Sequence, residues 1–242
     1  MTSRARRFRL QSYLASTAAD VRAAQRLRWR VFSQELGAQL PAVGVDEDRF
    51  DAYCDHLLVR DVVDGEVVGT YRILSAAQAA RAGGFYSETE FELGILRDLP
   101  GLVELGRACV HPRYRDGAAL SFLWSSLARH IHGAGYEHVI GCASVPVADG
   151  GHGAASLYTR LAREHLGPPA WRVRPHHPLP IGQLDCDTDA VLPPLVRGYL
   201  RMGAWMCGPP AWDQAFGTAD ILLLLPMSRM RQRFRQHFLR AA

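Results

Sequence analysis

Residues 102–144 read LVELGRACVHPRYRDGAALSFLWSSLARHIHGAGYEHVIGCAS, and this stretch decides the fold class. Leu102 to Val110 is an apolar run of strand length. Ala118 to about His132 carries helical spacing, and Tyr136 to Ser144 is a further strand. Upstream, His56 to Val63 and Glu66 to Leu74 are two strands meeting at Asp64-Gly65, a strong hairpin signal. Antiparallel strands first, then strand–helix–strand, predict a mixed and mostly antiparallel α/β sheet flanked by helices.

Working outward, Phe8 to Leu14 reads as a short strand. Thr17 or Asp20 caps a helix that runs to about Leu36 and stops at Gly37. Gly37 to Tyr53 is an acid-rich loop. Beyond residue 144 come a Gly-rich loop, a helix from about Ala154 to Leu166 and a Pro- and His-rich excursion over Pro168 to Pro180. A helix over Pro193 to Met202 and a buried strand over Thr218 to Leu225 complete the order. With no internal repeat, residues 1–242 are expected to form one domain.

The 242 residues are 48% hydrophobic and 21% charged, a globular balance long enough for a real core. The longest apolar run, Ile221 to Leu225, is far short of the roughly 20 residues that span a bilayer. No apolar h-region follows the arginines at the N-terminus, so a soluble cytoplasmic protein is expected. All 28 basic residues are arginine, which excludes a Schiff-base or Walker lysine. Five cysteines without a CxxC pair fit a reducing compartment.

Positive charge gathers at the ends. Arg4, Arg6, Arg7 and Arg9 make a basic arm within about residues 1–16. In the tail, Met227, Met230, Phe234 and Phe238 recur at spacings of three and four among Arg229, Arg231, Arg233, Arg235 and Arg240. This predicts a basic amphipathic helix over about 227–242. It either docks on the core or meets anionic lipid or an acidic partner protein; no motif points to nucleic acid. Asp185-Cys186-Asp187 imitates a calcium loop but has Ala190 and Val196 where glycine and glutamate belong. His176-His177 has no partner at ligand spacing, so no metal is expected.

The informative charges lie between residues 28 and 107, where a core would take apolar side chains. Arg28 and Phe32 share a helix face, and Asp48 and Asp51 lie on the acidic loop. Arg72 ends a strand, and Glu104 and Arg107 occupy a single strand. Positions 104 and 107 face opposite ways on an ideal strand, and a bulge at Gly106 would bring both to one pocket. The plain alternative is an arginine–carboxylate network holding helix to sheet.

As an ordered set these segments resemble the GNAT-fold acyltransferases, in the branch of acyl-homoserine lactone synthases and N-acyl amino acid synthases. Arg28, Phe32, Asp48, Asp51, Arg72, Glu104 and Arg107 carry that likeness. Cys54-Asp55-His56-Leu57-Leu58-Val59, Val68 through Arg72 and Gly141-Cys142-Ala143-Ser144 resemble the L-ornithine N-alpha-acyltransferases in particular. So do Tyr199 through Gly203, Pro210-Ala211-Trp212-Asp213 and Phe216 through Asp220. The likeness runs from about Gln25 to Leu239. It implies a GNAT-like sheet and transfer of a 3-hydroxy fatty acyl group from acyl carrier protein to the α-amine of ornithine. Acyl-phosphopantetheine would be the co-substrate, with no further cofactor, and the lipid product places the enzyme at the inner face of the membrane as a peripheral protein.

Against that pattern, Val110 and Arg115-Asp116-Gly117-Ala118, the segment matching the pyrophosphate loop, has one glycine only. A less open nest of backbone N–H groups leans toward carrier-protein phosphopantetheine over CoA. The chemistry needs a base, with Glu104 the candidate directly or through water, and Arg107 setting its position. It also needs a backbone donor for the oxyanion around Ala143 or Ser144. Arg28 or Arg72 is expected to hold the amino acid carboxylate, and Asp48, Asp51 or Asp213 a side-chain ammonium. The fatty chain is expected near Phe122, Trp124, Leu127 and Ile221 to Leu225. Another amino acid acceptor, a lactone-forming synthase and a silent module binding carrier protein or membrane are the competing readings.

Overall fold

The computed structural model describes residues 9–115 and 117–240. Arg4, Arg6 and Arg7 of the expected basic arm, Asp116 and the last two alanines lie outside the described residues. The strands are β1 (Leu10–Leu14), β2 (Asp55–Asp61), β3 (Val67–Ser75), β4 (Phe91–Glu92), β5 (Leu102–Val110), β6 (His138–Pro146), β7 (Arg174–Pro175), β8 (Trp205–Met206), β9 (Ala211–Asp213) and β10 (Thr218–Pro226). The helices are α1 (Ala18–Trp29), α2 (Ala76–Ala82), α3 (Ala118–Gly133), α4 (His152–His165), α5 (Pro194–Met202) and α6 (Gln232–Arg240).

Local chemistry sets several of these boundaries. Thr17 is the N-cap of α1: its hydroxyl accepts from the Asp20 N–H at 3.1 Å, and Asp20 accepts back from the Thr17 N–H at 3.2 Å. The helix then widens into a π-helical turn over Arg30–Glu35 before Gly37 ends it at φ +80°. Ser75 and Gln78 make the same reciprocal cap for α2, a helix the periodicity did not reveal. In the tail, Met227–Arg229 forms a tight turn, so α6 begins at Gln232, five residues later than expected.

One sheet runs β1-β2-β3-β5-β6-β10-β8, with β9 on the side of β10. Every pair is antiparallel except β5 with β6, which α3 connects as a crossover. Side chains alternate across β2, so Leu57 and Val59 meet Leu123 and Leu127 of α3. Leu58 points the other way, to Ala24 and Leu27 of α1 and Val31 of the π turn. Each such leucine, fully buried, stabilises by about 1.5–3 kcal/mol. Further along, Ile221 and Leu223 of β10 pack on Leu157 of α4 and on Val196 and Leu200 of α5.

The feature that makes a site is a split in this sheet. β5 and β6 pair only from Leu102↔His138 to Glu104↔Ile140. Beyond that point β5 stays with β3, and β6 stays with β10 as far as Pro146. Gly141 sits at the fork, where a side chain would drive into the Leu105 carbonyl. On the other arm Thr70↔Cys109 and Arg72↔Gly106 leave three steps of β5 against two of β3, a bulge. The bulge was expected at Gly106, but the left-handed residue is Arg107, at φ +50°. That turn brings Glu104 and Arg107 to the same opening.

Candidate active site

The fork opens into a cavity of about 410 Å³. Its walls are Leu105 to Ala108 of β5 and Ile140 to Cys142, Ser144 and Pro146 of β6. Phe32 comes from the π turn, and Asp213, Phe216 and Asp220 come from the β9–β10 corner. Phe32 and Phe216 meet edge to face at 5.8 Å across the rim. Of the residues expected from sequence, Phe32, Arg72, Glu104, Arg107, Ser144 and Asp213 line this cavity. Arg28, Asp48 and Asp51 stand outside its lining, and Val110, Arg115, Gly117 and Ala118 lie at the far end of β5 and the start of α3.

Arg28 is wholly buried, at 0% exposure, and its guanidinium is taken up by carboxylates. It donates to Asp46 at 2.8 Å, to both oxygens of Asp51 at 2.9 and 2.7 Å, and to the Asp46 carbonyl. The expectation that it grips a substrate carboxylate therefore gives way to the plain alternative: Arg28 pins the acidic loop to α1. Asp48 and Asp51 are likewise committed. Arg72 reaches Asp48 at 2.6 Å and Asp51 at 3.2 Å, and Arg107 lies 3.3 Å from Asp48 and 3.2 Å from Asp46. Burial pushes the Asp51 carboxyl up, but the hydrogen bonds and charge of Arg28, joined by Arg72, hold it well below the usual range. Three arginines and three aspartates thus form a neutral lattice. Only Arg72 and Arg107 show a side to the cavity.

Glu104 is 3% exposed. Its oxygens accept from the Tyr86 and Ser87 N–H groups at 2.6 and 2.8 Å, at the start of the tight turn Tyr86–Thr89. Those backbone groups, not Arg107, fix its position, because Arg107 is turned away to Asp46 and Asp48. Burial raises the Glu104 pKa in spite of these donors and of the Arg72 charge. Arg107 itself is clamped between the Tyr86 and Phe216 rings, 4.7 Å from each centroid.

The opposite wall is acidic: Asp213 was expected there, whereas Asp220 and Glu90 were not. Asp220 is 5% exposed, stands across from Ser144 in the β6–β10 register and accepts from Thr218 at 2.9 Å. Glu90 and Cys142 lie beside it, with ligand atoms of all three within 4.8 Å of one another. Burial, then the charges of Asp220 and Asp213, raise Glu90 to about 9. A single acid opening an otherwise apolar strand, Ala219-Asp220-Ile221, was the available signal for Asp220. Glu90 sits in a segment whose periodicity gave none.

A smaller cavity of about 40 Å³ lies beneath α6 and shares Leu105, Val139, Tyr199 and Leu225 with the main one. Trp124, Leu127, Met230 and Phe238 close it. Phe122, expected on this wall, packs into the core instead.

Comparison with known proteins agrees with this architecture. Residues 27–125 match the family model described as an acetyltransferase (GNAT) domain. An L-ornithine N(alpha)-acyltransferase of Brucella abortus (strain 2308) is 35% identical over 254 residues, covering 95% of this chain and 88% of that protein. The chain belongs to the L-ornithine N(alpha)-acyltransferase family. Two solved structures share the family's fold at low identity. FeeM, an N-acyl amino acid synthase from uncultured soil microbes, superposes with a TM-score of 0.55 at 10% identity over 91% of this chain and 92% of that one. The CoA-dependent acyl-homoserine lactone synthase MesI gives 0.55 at 12% identity, over 96% and 94%. Among the described residues no helix is long and apolar enough to cross a membrane.

Proposed function

We propose that this chain transfers a 3-hydroxy fatty acyl group from acyl carrier protein to the α-amine of L-ornithine, giving a single-chain ornithine lipid. The observation that carries the reading is the fork between β5 and β6. It joins a buried carboxylate, unpaired strand edges and an apolar annex in one cavity. In this reading the ornithine carboxylate meets Arg72 and Arg107, the lattice members on the cavity side. The α-ammonium loses a proton to Glu104, directly or through one water, and the neutral amine attacks the thioester carbonyl. The carbonyl oxygen takes up negative charge against backbone N–H groups of the β6 edge around Ala143 and Ser144. The C–N bond forms, the C–S bond breaks, and the pantetheine thiolate leaves, taking up the second proton that the nitrogen sheds as it becomes an amide.

The phosphodiester of the donor arm fits the start of α3, where Gly117 takes φ +95° and the helix presents its positive end. Arg115 is tied there by Glu35, at 2.9 Å, and by the Val110 carbonyl at 3.0 Å, and Glu35 lines the cavity. The acyl chain extends past Leu105 and Val139 into the annex under α6. The exposed Arg231, just before α6, and Arg233 and Arg235 within it suit an anionic membrane surface that receives the lipid product.

Product analysis tests the reading. Purified protein is mixed with 3-hydroxyacyl carrier protein and an equimolar pool of amino acids including ornithine, and the products are weighed by mass spectrometry. A single acyl-ornithine mass is expected. A different acyl-amino acid overturns the acceptor, and the absence of any product overturns the enzyme reading.

A further inference from the structure

The two walls of the cavity differ in how their charges are matched. Asp220 is 95% buried yet lines the cavity, and Asp213 stands beside it at the β9–β10 corner. Behind Asp220, both oxygens of Glu90 are shut off from solvent and neither takes a well-formed hydrogen bond. Among the described residues none of these three carboxylates forms an ion pair, although burying unpaired negative charge is costly. Arg107 is the cation whose field reaches Asp220, and it already belongs to the lattice with Asp46 and Asp48. A buried acidic end facing an open cavity lacks a positive partner.

We infer that Asp220 and Asp213, with Glu90 behind them, form the subsite that receives the side-chain ammonium of a diamino acid acceptor. This inference rests on the acceptor reading above and adds the residues that select it. Of the three carboxylates expected for that task, Asp48 and Asp51 are held by Arg28, Arg72 and Arg107, which leaves Asp213. Beyond the bond it accepts from Thr218, Asp220 can accept charge-assisted hydrogen bonds from the cavity side, while Glu90 acts through Asp220 as a positioning residue. The arrangement also orients the acceptor. With the carboxylate at Arg72 and Arg107 and the far ammonium at Asp220, the α-nitrogen is left between Glu104 and the β6 edge. Acylation would then fall on the α-amine and not on the side-chain amine. A soft metal is the competing occupant of Glu90, Cys142 and Asp220, whose ligand atoms lie within 4.8 Å of one another, and zinc uptake in the test below separates it from an ammonium.

The test compares ornithine with norvaline, which has the same backbone and lacks the side-chain ammonium. In Asp220→Asn the ratio of kcat/KM for ornithine over norvaline falls roughly tenfold to a hundredfold, the scale of a lost hydrogen bond to a charge. Glu90→Gln lowers the same ratio mainly through the ornithine KM, a split that a merely structural defect would not produce. For the wild-type enzyme, butylamine competes with ornithine at least about tenfold better than the uncharged 1-butanol does, on the same scale. An unchanged ratio, or equal inhibition by butylamine and butanol, overturns the inference, as does stoichiometric zinc uptake that Asp220→Asn abolishes. Should the variants not fold, the comparison of butylamine with butanol on the wild type decides alone. Absence of wild-type ornithine turnover would instead overturn the acceptor reading. Calorimetric binding of butylamine to the wild-type protein, absent with butanol, would then still report on the subsite.

Discussion

Two clusters of buried charge face each other across the fork, and they are built on opposite rules. On the α1 side, Arg28, Arg72 and Arg107 meet Asp46, Asp48 and Asp51 one for one. On the β10 side, Glu90, Asp213 and Asp220 stand together without an ion pair among the described residues. The first arrangement is what a fold needs to fasten a long loop to its sheet. The second is disfavoured in an empty protein and makes sense when a cation arrives from outside. Glu104 sits between them, held by two backbone N–H groups and by neither cluster. The contrast teaches that buried arginine is no guide to substrate binding until its donors have been counted.

The matched side breaks most severely. Arg28→Ala leaves Asp46 and Asp51 buried without their main partner, and a loss of about 3–5 kcal/mol is expected in urea unfolding. Glu104→Gln strikes the middle. It is expected to lower kcat by roughly 10²- to 10⁴-fold in a single-turnover assay, and to cost about 1–3 kcal/mol in urea unfolding because the amide NH2 cannot accept one of the two backbone N–H groups.

The two sides also answer pH in opposite senses. The Asp51 pKa is lowered in the fold, so its stabilisation is present at neutral pH and is lost as pH falls below the usual aspartate range. Glu90 is raised from 4.5 to about 9, so its contribution is present below 4.5 and is lost as pH climbs toward 9. Urea titrations across that upper window should show a smaller decline for Glu90→Gln than for the wild type. Parallel declines would mean that the acidic side carries no such strain.

Two smaller effects concern the walls beyond the charges. A methyl group at Gly198 of α5 would collide with the Trp124 ring. Gly198→Ala is therefore expected to cost about 1–3 kcal/mol through overpacking and to shift preference toward shorter acyl donors in a competition assay. Replacing Arg233 with glutamine is expected to weaken binding to anionic vesicles by about 1 kcal/mol, with turnover in solution unchanged.

Much of the frame was legible in the sequence because its signals are local. The Leu102–Val110 strand, the Asp64-Gly65 hairpin and the Thr17–Asp20 cap each follow from side-chain period or turn chemistry. The charged positions 28, 72, 104 and 107 stood out because they interrupt apolar elements. What those charges touch was not legible. Pairing of Arg28 with Asp46 and Asp51 spans a loop of irregular path, and no spacing rule covers it. Arg107 could not be seen to take the left-handed turn that Gly106 was expected to make. Glu90 and Asp220 come together only because β10 pairs with β6 and Glu90 lies next to Cys142 in the folded protein. Neither neighbour can be inferred from residues 86–92 alone.

The most direct test is a crystal structure of the protein with ornithine and a stable thioether analogue of the acyl-phosphopantetheine arm. The fork is expected to hold the reacting ends. The α-nitrogen should lie between Glu104 and the acyl carbon, the carboxylate on Arg72 and Arg107, and the side-chain ammonium on Asp220. Ornithine seated among Asp46, Asp48 and Asp51, or an acyl chain lying outside the β5–β6 opening, would contradict the division of labour between the two walls.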